Sequence, residues 1–155
     1  MRVAVIAVGR LGRAPEAALA ADYLARASAG GRALGFGQFE LVEVEGKRSA
    51  SDAEAPALLT KLEPGDRVVA CDERGRAYGS RDFAARLAGW RDQGVRRTVF
   101  LIGGADGLAD EVRERADELL AFGVQTWPHA LARVMLAEQL YRSTTILGRS
   151  PYHRD

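Results

Sequence analysis

Short apolar runs alternate with helix-like segments along the whole chain, and this alternation constrains the fold more than any other feature. The runs Val3–Val8, Arg67–Cys71 and Arg97–Ile102 are nearly continuous in apolar residues. Such runs are typical of strands buried on both faces, as in a parallel sheet covered by helices. The chain therefore predicts an α/β fold with a mostly parallel sheet and flanking helices.

The predicted elements follow from the positions of apolar runs, turn residues and helix-start signals. Strands are predicted at Val3–Val8, Phe39–Val44, Arg67–Cys71, Arg97–Ile102 and, short and last, Val124–Trp127. Helices are predicted from Pro15 to about Gly30, from the Ser51–Glu54 capping box to about Leu62, from Ser80 to about Gly94, from Asp106 or Gly107 through the charged segment Ala109–Leu120, and from about Ala130 to Leu147. No linker or repeat interrupts the 155 residues, so we expect one domain covering residues 1–155.

Composition argues against several classes of protein. The formal net charge is only +1, so no strong basic excess indicates nucleic acid, and any RNA contact would depend on local basic groups. The single cysteine, Cys71, excludes an intramolecular disulfide and a multi-cysteine metal site, and the two histidines show no ligand spacing, so we expect no metal. No apolar segment is long enough to cross a membrane, and we expect a cytoplasmic protein with no membrane partner.

Ligands of open parallel sheets bind beyond the carboxyl ends of the strands. In this sequence the predicted strand ends carry Gly9, Cys71-Asp72, Gly103-Gly104 and Trp127-Pro128. The segment Gly103–Gly107 precedes a predicted helix, where free backbone amides can bind polar ligand atoms. It is neither a P-loop nor a complete G-x-G-x-x-G motif, so the residues alone support an ordinary strand-to-helix turn about as well.

The last predicted helix carries two further candidates. His129 follows Trp127-Pro128 at the helix start, where it could act as an acid, a base or an RNA contact, or could merely cap the helix. Glu138 and Arg142 have i,i+4 spacing, which fits either a surface ion pair of little energetic value or a pair at a subunit interface.

The chain ends in Pro151–Asp155, a segment with an aromatic ring, an imidazole and a guanidinium in succession. Tyr152 could stack on a nucleobase, and Arg154 could reach a phosphate group. The alternatives are an ordinary polar terminus, or a Tyr152 side chain that packs on the core.

Several segments together resemble the ribosomal large subunit methyltransferase H family. They are LIGGADG at Leu101–Gly107, WPHALARVMLAEQLYR at Trp127–Arg142, SPYHRD at Ser150–Asp155, AVGR at Ala7–Arg10, EGKR at Glu45–Arg48 and CDERG at Cys71–Gly75. The resemblance covers the whole chain. It implies a SPOUT-type fold with a C-terminal trefoil knot, a homodimer, and S-adenosylmethionine as the cofactor.

The same resemblance implies a reaction, which is methylation of N3 of a pseudouridine in helix 69 of bacterial 23S rRNA on the assembled ribosome. The alternatives are a non-catalytic ribosome-associated or nucleotide-binding module and, less well supported, a small-molecule methyltransferase. All three are classes of protein that a chain of this length and composition could form.

Site residues are also implied by the resemblance. The cofactor-binding residues are expected to be Cys71, Gly103, Phe122, Gly123, Val124, Gln125, Thr126 and Trp127, with Cys71 standing where we would expect leucine. The catalytic candidates are His129, Arg142, Tyr152, His153 and Arg154, and the tail residues are candidates for contribution by the partner subunit. Arg142 or Arg133 could stabilise negative charge that develops on the pyrimidine ring.

Overall fold

The computed structural model of the chain describes residues 1–45 and 51–154, and in the second range it describes side chains from residue 54 onward. The EGKR motif after Glu45, the Ser51 side chain of the predicted capping box and the terminal Asp155 lie outside the described residues. The strands are β1 (Arg2–Val8), β2 (Phe39–Val44), β3 (Arg67–Arg76), β4 (Arg97–Ile102) and β5 (Glu118–Leu120). The α-helices are α1 (Pro15–Gly31), α2 (Ser51–Leu59), α3 (Ser80–Asp92), α4 (Asp110–Arg115) and α5 (His129–Leu147).

The strands form one parallel sheet in the order β2-β1-β4-β3-β5. β1 pairs along most of its length with β2 and with β4, so that Val3 lies opposite both Phe39 and Thr98. β3 pairs with β4 on one side and with β5 on the other, with a register shift between Cys71 and Arg76. Because the strands are parallel, their carboxyl ends lie along one edge of the sheet, where the sequence predicts a ligand.

Helices cover both faces of this sheet, and β1 shows how the sequence fits that arrangement. Val3, Val5 and Ala7 pack in the core formed with α1, α3 and α5. Ala4 and Ile6 pack in a second core formed with α2 and α4 on the other face. Successive side chains of a strand point to opposite faces, so a strand covered on both sides must be apolar throughout. The predicted α/β fold is confirmed.

Two predicted elements are wrong. The charged segment Ala109–Leu120 is not one helix, since only its first part forms α4 and its end forms the edge strand β5. Asp117 separates the two, because its side chain accepts a hydrogen bond from the Val68 amide at 2.7 Å and its own amide donates to the Val68 carbonyl at 2.8 Å. The segment Val124–Trp127, predicted as the last strand, is a loop instead.

The remaining predicted elements agree with the structure to within a few residues. α2 ends at Leu59 rather than near Leu62, and β3 continues past Cys71 to Arg76. In residues 1–45 and 51–154, no helix has both the length and the apolarity needed to cross a membrane. The side chains described in those ranges include no group of three or more His, Cys, Asp or Glu that could hold a metal ion.

Arg133 fixes the start of α5 against the sheet. Its guanidinium is buried, lies 2.9 Å from the Glu43 carboxylate and donates to the carbonyl oxygen of Val8. Glu43 also accepts a hydrogen bond from the Leu11 amide at 2.9 Å. Burial lowers the pKa of Arg133, and the Glu43 charge opposes this effect. The side chain that could have stabilised charge on a substrate is therefore already engaged with β1 and β2.

Candidate functional site

A cleft of about 810 Å³ opens at the carboxyl edge of the sheet. It is lined by the second half of β3, by the segments that follow β4 and β5, and by the first residues of α5. Its volume is within the range of ~300–1,000 Å³ that is usual for small-ligand sites. The cleft therefore occurs where an open parallel sheet is expected to bind a ligand.

The loop Gly103–Gly107 lines this cleft and is folded tightly on itself. An added Cβ at Gly103 would lie 2.3 Å from the carbonyl oxygen of Gly107. Gly107 has a φ of +78°, in the left-handed region that favours glycine, and its amide donates to the Gly104 carbonyl at 3.2 Å. Glycine is thus required at Gly103 by close backbone packing within the loop and at Gly107 by the local conformation.

Arg113 closes the far end of the same loop. Its guanidinium lies 3.1 Å from the Asp72 carboxylate and donates to the carbonyl oxygen of Leu108. A hydrogen bond to Asp110 raises the pKa of Arg113 most, while burial opposes this and Asp72 adds a smaller rise. Asp72 and Arg113 both line the cleft. The sequence places Asp72 at a strand end where a ligand is expected, without naming it a cofactor residue, and it does not predict Arg113, because no motif marks an Arg in a charged helix.

The segment 121–128 contributes a further wall of the cleft. Gly123 has a φ of +104°, and the indole nitrogen of Trp127 donates to the Phe122 carbonyl at 3.2 Å, which folds the segment back on itself. Seven of the eight predicted cofactor residues line the cleft, namely Cys71, Gly103, Phe122, Gly123, Gln125, Thr126 and Trp127. Val124 is the exception, since its side chain is fully exposed and points away from the lining.

Cys71 sits at the end of the part of β3 that pairs with β4. Burial, with a smaller contribution from the Asp72 charge, raises the pKa of the thiol to about 12. The side chain is therefore a neutral thiol at physiological pH. It can supply the apolar contact that a leucine would supply, but it is a poor nucleophile.

His129 is the one predicted catalytic residue that lines the cleft. Its Nδ1 atom is buried and has no hydrogen-bond partner among the described residues. Burial first, and then the nearby Arg133 cation, lower the pKa of the imidazole. His129 is therefore predominantly neutral near pH 7, so it retains a ring nitrogen that can accept a proton.

Arg142 of α5 and the tail residues Tyr152 and His153 form a cluster beside the last turns of that helix. Arg142 pairs with Glu138, lies 3.2 Å from Nδ1 of His153 and stacks 5.0 Å above the Tyr152 ring. The Tyr152 hydroxyl donates to Glu138 at 3.0 Å, and its ring packs on Tyr141 with 4.7 Å between centroids. Burial and the bond to Glu138 raise the pKa of Tyr152. The tail is thus folded back on the helix, as one of the two alternatives for Tyr152 anticipated.

The structure does not bring all the predicted catalytic residues together within one chain. His129 and Arg142 are at opposite ends of α5, and thirteen residues at 1.5 Å each place them ~20 Å apart along the helix axis. Arg154 is exposed beyond the cluster. One chain therefore presents two separate groups of candidates, the cleft with His129 and the tail cluster.

A mostly apolar groove of about 510 Å³ connects these two groups. Residues 120–123 line both the groove and the cleft, and Glu138 belongs to both the groove and the tail cluster. Leu19 of α1 and Met135 of α5 are also in its walls, and Leu19 is 45% exposed. Exposed apolar surface of this kind is typical of an interaction site.

Comparison with known proteins identifies relatives along the full length of the chain. The family described as "Predicted SPOUT methyltransferase" matches residues 1–153. The protein named "Ribosomal RNA large subunit methyltransferase H" from Caulobacter vibrioides is 58% identical over 155 residues, covering 100% of this chain and 99% of the relative. Proteins of the same name from Phenylobacterium zucineum and Paracoccus denitrificans are 57% and 53% identical, each with 100% of both chains covered.

Solved structures support the fold. A probable methyltransferase from Bordetella pertussis aligns with 92% of this chain and 94% of its own, with a TM-score of 0.52 at 18% identity. A probable methylase family protein from Haemophilus influenzae aligns with 99% of this chain and 70% of its own, with a TM-score of 0.50 at 13% identity. Because the family match and the close relatives extend over nearly every residue, the chain belongs to the SPOUT methyltransferases and, within them, to the ribosomal RNA large subunit methyltransferase H family.

Proposed function

We propose that this protein methylates N3 of a pseudouridine in helix 69 of bacterial 23S rRNA, on the assembled ribosome, with S-adenosylmethionine as the methyl donor. Two observations support the proposal: full-length relatives are named ribosomal RNA large subunit methyltransferase H, and seven of the eight expected cofactor residues line one cleft. The proposal includes one SPOUT domain over residues 1–155 with a C-terminal trefoil knot, a homodimeric state and a cytoplasmic location.

The residues of the cleft fit such a cofactor. Phe122 and Trp127 offer apolar surface, and an added Cβ at Gly107 would meet no atom within 4 Å, so a ligand can approach the backbone closely there. The Ala121 amide and the Phe122 and Pro128 carbonyls are already hydrogen-bonded, and the other main-chain groups of the segment 121–128 can bind a purine whatever the side chains are. When bound, S-adenosylmethionine supplies a methyl group on a sulfonium, which is electrophilic enough to react with a nitrogen nucleophile.

The protein must then position N3 and deal with its proton. An imide nitrogen such as uracil N3 becomes nucleophilic when it loses that proton, and holding it in line with the methyl group supplies much of the rate. His129 lines the cleft and is neutral near pH 7 because burial and Arg133 lower its pKa, which makes it the best-placed proton acceptor in the same chain. Arg142 and Arg154 carry positive charge suited to a ring oxygen or a phosphate group.

A homodimer would unite the two groups of candidates. In a twofold interface the same surface patch meets its own copy. If the axis crosses the apolar groove, the tail end of one α5 lies over the cleft end of the other. The separation of ~20 Å within one chain and the apolar groove between the two groups both support this arrangement.

Ribosomes from cells that lack the gene test the substrate. We expect mass spectrometry of their helix 69 RNA to show one methyl group fewer than wild type, and the purified protein with S-adenosylmethionine to restore it at N3 of the pseudouridine. A non-catalytic ribosome-associated or nucleotide-binding module would bind no S-adenosylmethionine in calorimetry and restore nothing. A small-molecule methyltransferase would turn over without ribosomes.

Light scattering tests the oligomeric state separately. We expect a dimer at micromolar concentration, and we expect Met135→Glu, which places a charge in the apolar groove, to give a monomer that retains its fold. A monomeric wild-type protein with full activity would contradict the homodimer.

A further inference from the structure

We propose that Glu54 of α2 is a positioning residue of the cofactor cleft, which holds the loop Gly103–Gly107 in the shape that binds the cofactor. This inference rests on the proposed use of S-adenosylmethionine in that cleft. Glu54 does not line the cleft, so it would act through Gly104 rather than touch the ligand.

The contact between Glu54 and the loop is close and shielded from solvent. Glu54 is 9% exposed, and its Oε2 atom accepts a hydrogen bond from the Gly104 amide at 3.3 Å. A Cβ built on Gly104 would lie 2.8 Å from both carboxylate oxygens, so the whole carboxylate covers the residue on that side. Glycine at this position is what allows the carboxylate to approach the backbone.

The location of Glu54 is unexpected from the sequence, which places it in a capping box at the start of α2. Its carboxylate reaches a different element, since 50 residues separate it from Gly104. Burying a carboxylate is costly unless hydrogen bonds compensate, and a backbone amide that donates to the carboxylate supplies such compensation. Within the described residues, the Gly104 amide is the group that supplies this compensation.

Three contacts then define the shape of the loop. Glu54 holds Gly104 near its start, the packing of the Gly107 carbonyl against Gly103 brings its two ends together, and Arg113 holds the Leu108 carbonyl just after it. Gly103 and Gly104 themselves line the cleft. Without the carboxylate the loop would sample other shapes, and the cofactor would have to order it on binding. The affinity for the cofactor would therefore fall, whereas kcat at saturating cofactor would stay the same.

Three substitutions and one control separate this role from simple stabilisation of the fold. Glu54→Ala removes the acceptor, Glu54→Asp keeps the charge but withdraws it by one methylene, and Glu54→Gln keeps an oxygen acceptor at full length. Glu111→Ala, on the exposed first turn of α4 and outside the cleft lining, is the matched control. The measurements are calorimetry with S-adenosylmethionine, melting without cofactor, and KM and kcat on ribosomes.

We expect Glu54→Ala and Glu54→Asp to raise the cofactor dissociation constant about tenfold, as for loss of one hydrogen bond to a charged group. Glu54→Gln and Glu111→Ala should bind like the wild type, and kcat at saturating cofactor should be unchanged in all four. A lower melting temperature with wild-type affinity in both weakened variants would mean that Glu54 is only structural, and would overturn the proposal. If Glu54→Ala does not fold, the cofactor dissociation constants of Glu54→Asp and Glu54→Gln test the proposal instead: weaker binding by the Asp variant alone is the expected result. A wild-type protein that binds no S-adenosylmethionine would instead refute the proposed function, and this inference with it.

Discussion

A single methyl group added at Gly103 tests how closely the glycine loop is packed. The new Cβ would lie 2.3 Å from the Gly107 carbonyl oxygen and 2.6 Å from its carbon, so the backbone must move. We expect Gly103→Ala to weaken binding of S-adenosylmethionine at least about tenfold and to lower the free energy of unfolding by about 1–3 kcal/mol. Calorimetry and urea denaturation measure the two effects.

Gly89→Ala is the matched control, because an added Cβ there meets no atom within 4 Å and the residue lies inside α3. It should leave cofactor affinity unchanged and stabilise the protein by about 0.5–1 kcal/mol. Wild-type cofactor affinity in a folded Gly103→Ala protein would contradict the prediction. The first atom of a side chain at Gly103 thus meets the loop itself rather than the open space of the cleft.

The Cys71 thiol predicts a dependence of stability on alkaline pH. Its pKa is raised from 9.0 to about 12, so the unfolded thiol ionises first as pH rises. The contribution of the thiol to the free energy of unfolding is therefore fully present below pH ~9 and is lost progressively as pH rises toward ~12. At pH 10 the loss is about 1 kcal/mol. Urea denaturation at pH 7.5 and pH 10 should show this loss in the wild type relative to Cys71→Val. Equal pH dependence in the two proteins would show that the thiol is not protected.

Residues marked by a local motif could be found from the sequence, and those that act over long sequence distances could not. Gly103 and Trp127 stand out because a glycine turn and the Trp-Pro-His motif are visible in short windows, whereas residues 122–126 were identified only through the resemblance to the family. Glu54 and Arg113 contact partners 50 and 41 residues away, Gly104 and Asp72. No periodicity or spacing reports a contact of that kind, since it exists only after the sheet has formed.

Among the elements, α5 combines apolar packing in the core with one buried cation, Arg133, that joins its start to β1 and β2. Replacing Arg133 with methionine keeps the length of the side chain but leaves the Glu43 carboxylate and the Val8 carbonyl without their partner. We expect Arg133→Met to lower the free energy of unfolding by about 2–4 kcal/mol, because breaking a buried ion pair leaves an uncompensated charge. Urea denaturation measures this.

Arg26→Met is the comparison, since Arg26 forms an exposed i,i+4 pair with Asp22 on α1. Exposed pairs of this kind contribute little, so the unfolding midpoint should hardly change. If both substitutions had the same small effect, the buried pair could not be what fixes α5 on the sheet.

The order of helices and strands was predicted correctly up to β4, whereas the assignment of residues 118–127 was wrong. The residues Glu118–Leu120 follow a charged segment with helical character, and a short apolar run cannot be assigned to helix or strand from periodicity alone. Pairing with β3 decides the matter, through Asp117 and its two hydrogen bonds to Val68. Once that strand is assigned, the next apolar segment, Val124–Trp127, is left as the loop that lines the cleft.

For the whole molecule, the proposed dimer predicts that two impaired variants can restore activity together. Deleting residues 152–155 should reduce methylation by at least about 100-fold, the range attributed to acid–base groups, while cofactor affinity stays near wild type. At low cofactor concentration Gly103→Ala should retain at most about a tenth of wild-type activity, because its cofactor affinity is at least about tenfold weaker. Mixed and re-associated, the two variants form heterodimers in which one cleft and one tail are intact, so roughly a quarter of wild-type activity should return.

Melting of the truncated protein separates a role of the tail in catalysis from a role in packing. Tyr152 packs on Tyr141, so a small loss of stability is expected on truncation. A truncated protein that melts normally and methylates at the full rate would show that the tail is not part of the site. Failure of the mixture to recover any activity, with both variants folded and dimeric, would place cleft and tail in the same subunit.

The distance along α5 has a consequence for how much protein a cell must make. In the proposed dimer, where cleft and tail are ~20 Å apart within one chain, an isolated copy would hold only half of a working site. When the protein is scarce enough to dissociate, the concentration of paired copies falls with the square of the total, so halving the supply removes about three quarters of the activity. Methylation of new ribosomes would then fall more steeply than the amount of protein when gene dosage is reduced, rather than in proportion to it.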